Sequence, residues 1–334
     1  MLQDRHKRVI SYLRISVTDR CNFRCVYCMP AEGIALSPRS ELLSFEEIAR
    51  VARVGSELGL TKIRLTGGEP TVRRDLPQLV KMLASIDGIR EVSLTTNAAR
   101  LGELAEPLKA AGLARVNISL DTLQRDKMQE IARRDYYDNV MQGIEAAFRA
   151  GLTPLKFNTV VMRGVNDEEL SDLVRFTHGY NAQLRFIEYM PMGAARFDEH
   201  NKVVTSEETR ALLARDFDFV RESTTEFRTH SPEATDPARG WVCRTTGARV
   251  GFISSMSEHF CDSCNRMRLT AEGGLRPCLH QDAEVNVREL LRSDASDADI
   301  AGAFREAANL KWAGHHMTDI IPLYSAKEMV AIGG

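Results

Sequence analysis

The sequence predicts an α/β protein: a partial (β/α)6 barrel of the TIM type with a smaller C-terminal region covering the barrel opening. Three observations carry this expectation. Six short strand-like stretches between residues 11 and 190 alternate with amphipathic helical patterns, and that alternation implies parallel βα units. One parity of those strands is repeatedly polar, which suits a lined cavity better than the branched apolar filling of a closed barrel. Beyond residue 192 the βα rhythm stops. Six units fall short of the eight that close a barrel, so the expected division is 1–192 for the barrel and 193–334 for the smaller region.

The strand stretches are Ser11 to Thr18, Lys62 to Thr66, Glu91 to Thr96, Arg115 to Leu120, Leu155 to Met162 and Gln183 to Met190. Arg14, Ser16 and Thr18 share one face of the first, Arg64 and Thr66 of the second, Ser93 and Thr95 of the third, Asn117 and Ser119 of the fourth, and Lys156 and Asn158 of the fifth. The opposite parity holds Ile15, Val17, Ile63, Leu65, Ile118 and Leu120. The fifth strand fits over its first half only, because Val160 continues the polar face and Thr159 sits on the other. The sixth is ambiguous. The alternative is a one-sided sheet whose polar parity faces solvent. Ser44 with Glu47 three residues on reads as a capping box, and Asn166 with Glu169 reads as a second helix start.

In the C-terminal region, Arg221 to Arg239 is polar and contains Thr and Pro, as a hairpin or loop would. Between Glu284 and Asp299, charged residues interleave with Val285, Val287, Leu290 and Leu291, as amphipathic helices require.

The chain has 334 residues, 43% hydrophobic and 27% charged, with a formal net charge of −2. That balance argues against bulk nucleic-acid binding. No apolar run reaches the roughly 18 residues needed to span a bilayer, and Met1 to Arg8 is charged with no hydrophobic segment behind it. A soluble cytoplasmic protein is expected, with neither a membrane nor a nucleic-acid partner. Six of the seven cysteines fall into two tight groups, a pattern of metal ligation rather than of disulfides.

The first group, Cys21, Cys25 and Cys28, follows the first strand directly with C-x₃-C-x₂-C spacing. Three thiolates on one loop can each hold one iron of a cubane and leave the fourth iron open. A zinc site is the alternative, although no fourth Cys or His lies near this loop. With an aromatic residue, Tyr27, before the last cysteine, the loop resembles the radical S-adenosylmethionine (SAM) signature. One βα unit later, Thr66-Gly67-Gly68-Glu69-Pro70 resembles that superfamily's glycine-rich motif; without the cysteines it would read as a plain loop. The resemblance implies a [4Fe-4S] cluster whose open iron chelates SAM, reductive cleavage to a 5′-deoxyadenosyl radical, and SAM contacts from Tyr27, Gly68, Ser119 and Met190. Taken alone, Tyr27, Ser119 and Met190 read equally well as packing.

The second group, Cys261, Cys264 and Cys278, has C-x₂-C-x₁₃-C spacing and again leaves one position open. Zinc competes more seriously here, since His259 or His280 would complete a Cys₃His set. Arg266 and Arg268, two apart in an apparent strand, put two guanidinium forks on one face, suited to phosphate oxygens or to a solvated basic surface. Cys243 reads as a buried structural thiol, and His315 and His316 as surface or packing residues.

The segment Cys261 to Thr270, continuing through Gly273, Leu275, Arg276 and Cys278, resembles the GTP 3′,8-cyclase family of molybdenum-cofactor biosynthesis, and the likeness spans nearly the whole chain. It implies an auxiliary [4Fe-4S] cluster on Cys261, Cys264 and Cys278 whose open iron takes the guanine. It also implies GTP contacts from Arg14, Arg64, Thr95, Lys156 and the run Arg266, Met267, Arg268, with catalysis resting on the first cysteines, Arg266 and Arg268. The implied product is 3′,8-cyclo-7,8-dihydro-GTP. The implied partners are a flavodoxin- or ferredoxin-like electron donor and, downstream, cyclic pyranopterin monophosphate synthase, with homodimerisation left open. A further implication is that the terminal Gly333 and Gly334 thread into the active site. The rivals are another radical SAM enzyme with an auxiliary cluster, such as a peptide-modifying enzyme, and a non-catalytic iron-sulfur or zinc protein.

Overall fold

Alternation of apolar and polar residues at period two builds the central strands. The computed structural model describes residues 1–190, 202–222, 236–314 and 328–333. Within these, the six expected strands are β1 (Tyr12–Ser16), β2 (Lys62–Thr66), β3 (Glu91–Thr96), β4 (Arg115–Ser119), β5 (Lys156–Val161) and β6 (Gln183–Glu188), each parallel to the next. The apolar parity, including Leu13, Ile15, Ile63, Leu65, Val116, Ile118 and Phe157, is fully buried in one core. Burying each such side chain contributes about 1.5–3 kcal/mol. Thr159, on that same parity, resolves the irregular fifth strand: its hydroxyl donates to the Leu120 carbonyl at 2.6 Å, so its polar atom is satisfied inside the core.

Helices α1 (Phe45–Glu57), α2 (Leu76–Ala84), α3 (Leu101–Ala110), α4 (Arg125–Ala132), α5 (Tyr137–Arg149) and α6 (Leu170–Gly179) connect the strands. The Ser44–Glu47 capping box forms in both directions at the start of α1. The second expected helix start lies elsewhere. Asn166 sits in a turn, where its side chain accepts from the Met162 amide and donates to the Asp121 and Val160 carbonyls. That amide is fully occupied in tying β5 to the loop after β4, so α6 begins after Glu169 without a side-chain cap.

The sheet does not stop at β6. After α7 (Ser206–Leu213) and β7 (Phe219–Arg221), strands β8 (Arg239–Cys243) and β9 (Arg249–Ile253) form a hairpin, and β9 lies parallel to β6. At the other edge β10 (Arg266–Leu269) lies parallel to β1, followed by β11 (Gly274–Arg276) and β12 (Val285–Asn286). The order is β12-β11-β10-β1-β2-β3-β4-β5-β6-β9-β8-β7. Eight consecutive parallel strands therefore wrap an open barrel, with residues beyond 192 extending both edges and packing into the same core. The expected helical reading of 284–299 holds only in part: Val285 is in a strand, α8 (Arg288–Leu291) is one turn, and α9 (Asp297–Asn309) starts at a Ser296–Asp299 capping box. A short α10 (Met329–Ile332) ends in Gly333. β7 and β8 pair at the flanks of the expected loop or hairpin; residues 223–235, His315, His316 and Gly334 lie outside the described residues. Cys243 is buried in the core, as expected of a structural thiol. Among the described residues no helix is long and apolar enough to cross a membrane.

Candidate functional site

The polar parity faces inward. Tyr12, Arg14, Lys62, Arg64, Thr95, Arg115, Asn117, Ser119 and Asn158 line a cavity inside the barrel, so the one-sided-sheet alternative fails. The sixth strand turns Arg185 and Ile187 to the same lumen. The cysteine groups stand at its two ends. Cys21, Cys25 and Cys28 follow the C-terminal end of β1 and line one chamber; Cys264 precedes β10, whose first residue is in register with Tyr12 at the N-terminal end of β1. The five residues of β1 separate the ends by about 13 Å at about 3.3 Å per residue. Tyr27, Thr95, Ser119, Asp121 and Met329 line both chambers and form the passage between them.

At the first end, the turn after β2 is pressed against the cysteine loop. A Cβ at Gly68 would overlap the Arg20 carbonyl, and Gly67 has φ +152° with Thr18 O 2.6 Å from where a Cβ would lie. Only glycine lets the two backbones approach this closely. Buried Glu69 fixes the turn by accepting from Thr71 N (3.0 Å), Thr96 Oγ1 (2.7 Å) and Asn97 N (2.7 Å). Burial pushes the Cys21 and Cys28 thiols up to about 12 and Cys25 well above its ordinary value. Such thiols are poor surface nucleophiles but become thiolates when a metal cluster binds them. Three soft donors on one loop beside an open glycine backbone fit a three-cysteine [4Fe-4S] cluster with a ligand on its free iron. Asp121, pushed up to about 6 by burial, accepts from Tyr27 Oη at 2.7 Å and from Val160 N at 2.9 Å, locking Tyr27 at the passage.

At the second end, Arg268, Arg14 and Arg64 occupy one rung across β10, β1 and β2, and Arg266, Tyr12 and Lys62 the next. Neighbouring strands are about 4.8 Å apart, so these cations repel one another. Burial, with Arg64 and Arg266 adding to it, lowers Arg14 to about 10; burial, Arg14 and Arg266 push Arg268 well down. Unsatisfied atoms sit beside them: Tyr12 Oη, Thr95 Oγ1, Asn158 Oδ1 and both amide atoms of Asn117 are buried with no hydrogen-bond partner among the described residues. Each costs about 1–3 kcal/mol if left so. A polar anion would relieve both the repulsion and the desolvation.

Cys261, Cys264 and Cys278 line this chamber with Phe260 and His280. Burial alone would raise Cys264, but the Arg266 and Lys311 cations and hydrogen bonds from Arg266 outweigh it and bring the thiol to about 6. Arg266 also lies over the Phe260 ring at 4.8 Å. The donor set, three thiols with adjacent cations, suits an anionic iron-sulfur site. Among the described residues no three His, Cys, Asp or Glu side chains converge on a single-ion site.

Two expected residues do not line the cavity. Met267 lies on the outward parity between Arg266 and Arg268 and is fully buried in the core, so its side chain cannot reach the lumen. Lys156 has the inward parity but is buried behind the wall, its Nζ 3.8 Å from Asp236; burial and the neighbouring Arg185 lower it to about 6 against the opposing pull of Asp236. The remaining expected residues, Tyr27, Gly68, Ser119, Met190, Arg14, Arg64, Thr95, Arg266 and Arg268, line the two chambers. Sequence reasoning missed Lys62, Asp121, Arg185, Asp236 and Lys311. Lys62 was accessible from its parity with Arg64. The C-terminal tail enters too: Gly333, at φ +69°, abuts Thr66 and Ser16, and its carbonyl accepts from Arg268.

Barrel, cysteine loop and glycine turn together define a radical SAM protein, and a family model described as the Radical SAM superfamily matches residues 15–177. A second, described as Molybdenum Cofactor Synthesis C, matches residues 182–317. GTP 3′,8-cyclase of Moorella thermoacetica is 48% identical over 318 residues, 95% of each chain. That of Syntrophomonas wolfei is 43% identical over 331 residues, 99% of each. The chain belongs to the GTP 3′,8-cyclase family. The fold recurs in Streptococcus suis SuiB bound to precursor peptide SuiA, with TM-score 0.59 and 17% identity over 90% of this chain and 67% of that one. It recurs also in anSMEcpe with bound AdoMet, with TM-score 0.56 and 12% identity over 88% and 79%.

Proposed function

We infer that the chain is a radical SAM GTP 3′,8-cyclase, converting GTP to 3′,8-cyclo-7,8-dihydro-GTP at the start of molybdenum-cofactor biosynthesis. The observation that carries the reading is the single lumen with a cysteine triplet at each end and a cationic, unsatisfied wall between them. Cys21, Cys25 and Cys28 would hold one [4Fe-4S] cluster, and Cys261, Cys264 and Cys278 a second with an iron open to guanine. The group held by Cys21, Cys25 and Cys28 would pass one electron to SAM and so supply a 5′-deoxyadenosyl radical; hydrogen would leave the ribose C3′ of GTP for that radical, and closing the C3′–C8 bond to the dihydro product would take up one further electron, from the external donor, and one proton.

The chain's own residues bind, orient and exclude water. The backbone at Gly68, with Tyr27, Ser119 and Met190, holds SAM near the passage. Arg14, Arg64, Arg266 and Arg268 hold the triphosphate, and Thr95 and Asn117 gain the partners they lack. Lys156 acts from behind the wall, regaining its proton as a polyanion arrives. Arg185 and Lys62 add to the clamp. Residues 1–192 thus generate the radical, and 193–334 complete the substrate site. The protein works in the cytoplasm, draws electrons from a flavodoxin- or ferredoxin-like donor and hands its product to a cyclic pyranopterin monophosphate synthase; a homodimer is compatible with the reading. Anaerobic incubation with SAM, dithionite and GTP tests it: GTP-dependent cyclised nucleotide is the expected outcome, and 5′-deoxyadenosine without any new nucleotide would count against it.

A further inference from the structure

The three auxiliary cysteines come from the two open ends of one antiparallel hairpin, β10–β11, in which Arg268 is in register with Arg276. Cys261 and Cys264 precede β10, and Cys278 follows β11. Beyond the last ladder pair, a third piece of chain, residues 310–313, ties these two ends to each other. Lys311 is 2% exposed, and its Nζ donates to the Arg266 carbonyl at 2.8 Å and to the Pro277 carbonyl at 2.5 Å. Those carbonyls lie two residues after Cys264 and one residue before Cys278. Gln281 Nε2 donates to the Leu310 carbonyl at 2.8 Å. From the other side Arg8, paired with buried Asp4 at 2.6 Å, donates to the Cys261 carbonyl at 2.8 Å and to those of Trp312 and Ala313 at 2.5 and 2.8 Å. All three cysteine positions are thereby tied to one short segment, and the Lys311 side chain bridges two of them.

Burying a lysine is costly, and such residues are nearly always paired. Among the described residues Lys311 has no carboxylate partner, only the two carbonyls, and it lines the chamber with the three thiols. Three thiolates around a cubane core leave the site net negative, which supplies the missing counter-charge. Cluster potentials respond to nearby charge and hydrogen bonding. We propose that Lys311 is a positioning residue for the auxiliary site: its ammonium clamps the two cysteine-bearing segments together and holds a fixed positive charge beside the thiolates. The proposal rests on the reading of Cys261, Cys264 and Cys278 as cluster ligands.

The test compares anaerobically reconstituted wild type with Lys311→Met and Lys311→Arg. Wild type should hold about eight iron, and Lys311→Met about four. SAM cleavage without GTP, a property of the other cluster, should stay at the wild-type rate, and Lys311→Arg, which keeps charge and donors, should restore iron. Should Lys311→Met keep its iron, the auxiliary reduction potential decides: removal of the positive charge should lower it, and an unchanged potential overturns the proposal. Loss of both clusters together, or of the circular-dichroism spectrum of the fold, overturns the local role. Wild type holding only about four iron would instead sink the two-cluster reading and leave no site for Lys311 to serve.

Discussion

Replacing Gly333 with alanine separates radical generation from cyclisation. Gly333 sits at φ +69°, where an L-residue pays roughly 1–2 kcal/mol, and the added Cβ would overlap Thr66 Oγ1 beneath it. Thr66 is buried in β2 with its hydroxyl on the Ile15 carbonyl at 3.3 Å, so it cannot swing aside cheaply, and crowding of this kind adds roughly 1–3 kcal/mol. The total of at least about 2 kcal/mol corresponds to a roughly 30-fold loss of the docked tail. The cost falls on the tail because α10 is a single turn with only Val330 and Ile332 buried. The assay measures 5′-deoxyadenosine, cyclised nucleotide and bound GTP in parallel. Cyclised product should fall at least tenfold, while iron content and 5′-deoxyadenosine formation persist and GTP affinity changes little, since the triphosphate can replace the tail carbonyl on Arg268. Deletion of Gly333 and Gly334 should do the same. Full cyclisation by either variant would refute the assignment of the tail to the site.

Other consequences follow from the same geometry. Gly68→Ala forces the turn away from the Arg20 carbonyl, and it should abolish 5′-deoxyadenosine formation as completely as Cys25→Ala while lowering the melting temperature by a few degrees. Arg268→Ala removes charge-assisted hydrogen bonds of about 1.5–3 kcal/mol and should weaken GTP roughly 10- to 150-fold by equilibrium binding, with the spectrum of the first cluster unchanged. Lys156 is neutral above about pH 6 in the free protein, and a nearby polyphosphate must raise its pKa. GTP binding should therefore take up a proton near pH 7.5 and weaken as pH rises through the bound-state pKa; calorimetry in buffers of different ionisation enthalpy should show the uptake vanish in Lys156→Met, and equal uptake in both proteins would contradict it.

The six barrel strands were legible to within two residues because their alternation is local. The edges were not. β10 pairs with β1 across about 250 positions, and no pattern within Arg266–Leu269 announces that partner. The same non-locality hid Lys311, whose two acceptors come from other segments, and Asp236, whose partners Arg185 at 2.5 Å and Lys156 at 3.8 Å stand on β6 and β5. Met267 entered the expected site as part of the run that the family resemblance implies, and period-two alternation puts its side chain on the other face, in the core. Lys156 shows the converse limit: parity gave its direction correctly but not its depth. The ligand-bearing motifs read well because metal and cofactor chemistry constrains residues that are adjacent in sequence, whereas the substrate wall is assembled from eight strands.

The central claim is that two clusters act on one GTP in a shared lumen. It is tested most directly by a single anaerobic turnover with SAM, dithionite and GTP deuterated at C3′. The account predicts deuterium in 5′-deoxyadenosine together with an equal amount of 3′,8-cyclised nucleotide. Unlabelled 5′-deoxyadenosine, or label transfer with GTP recovered uncyclised, would contradict it.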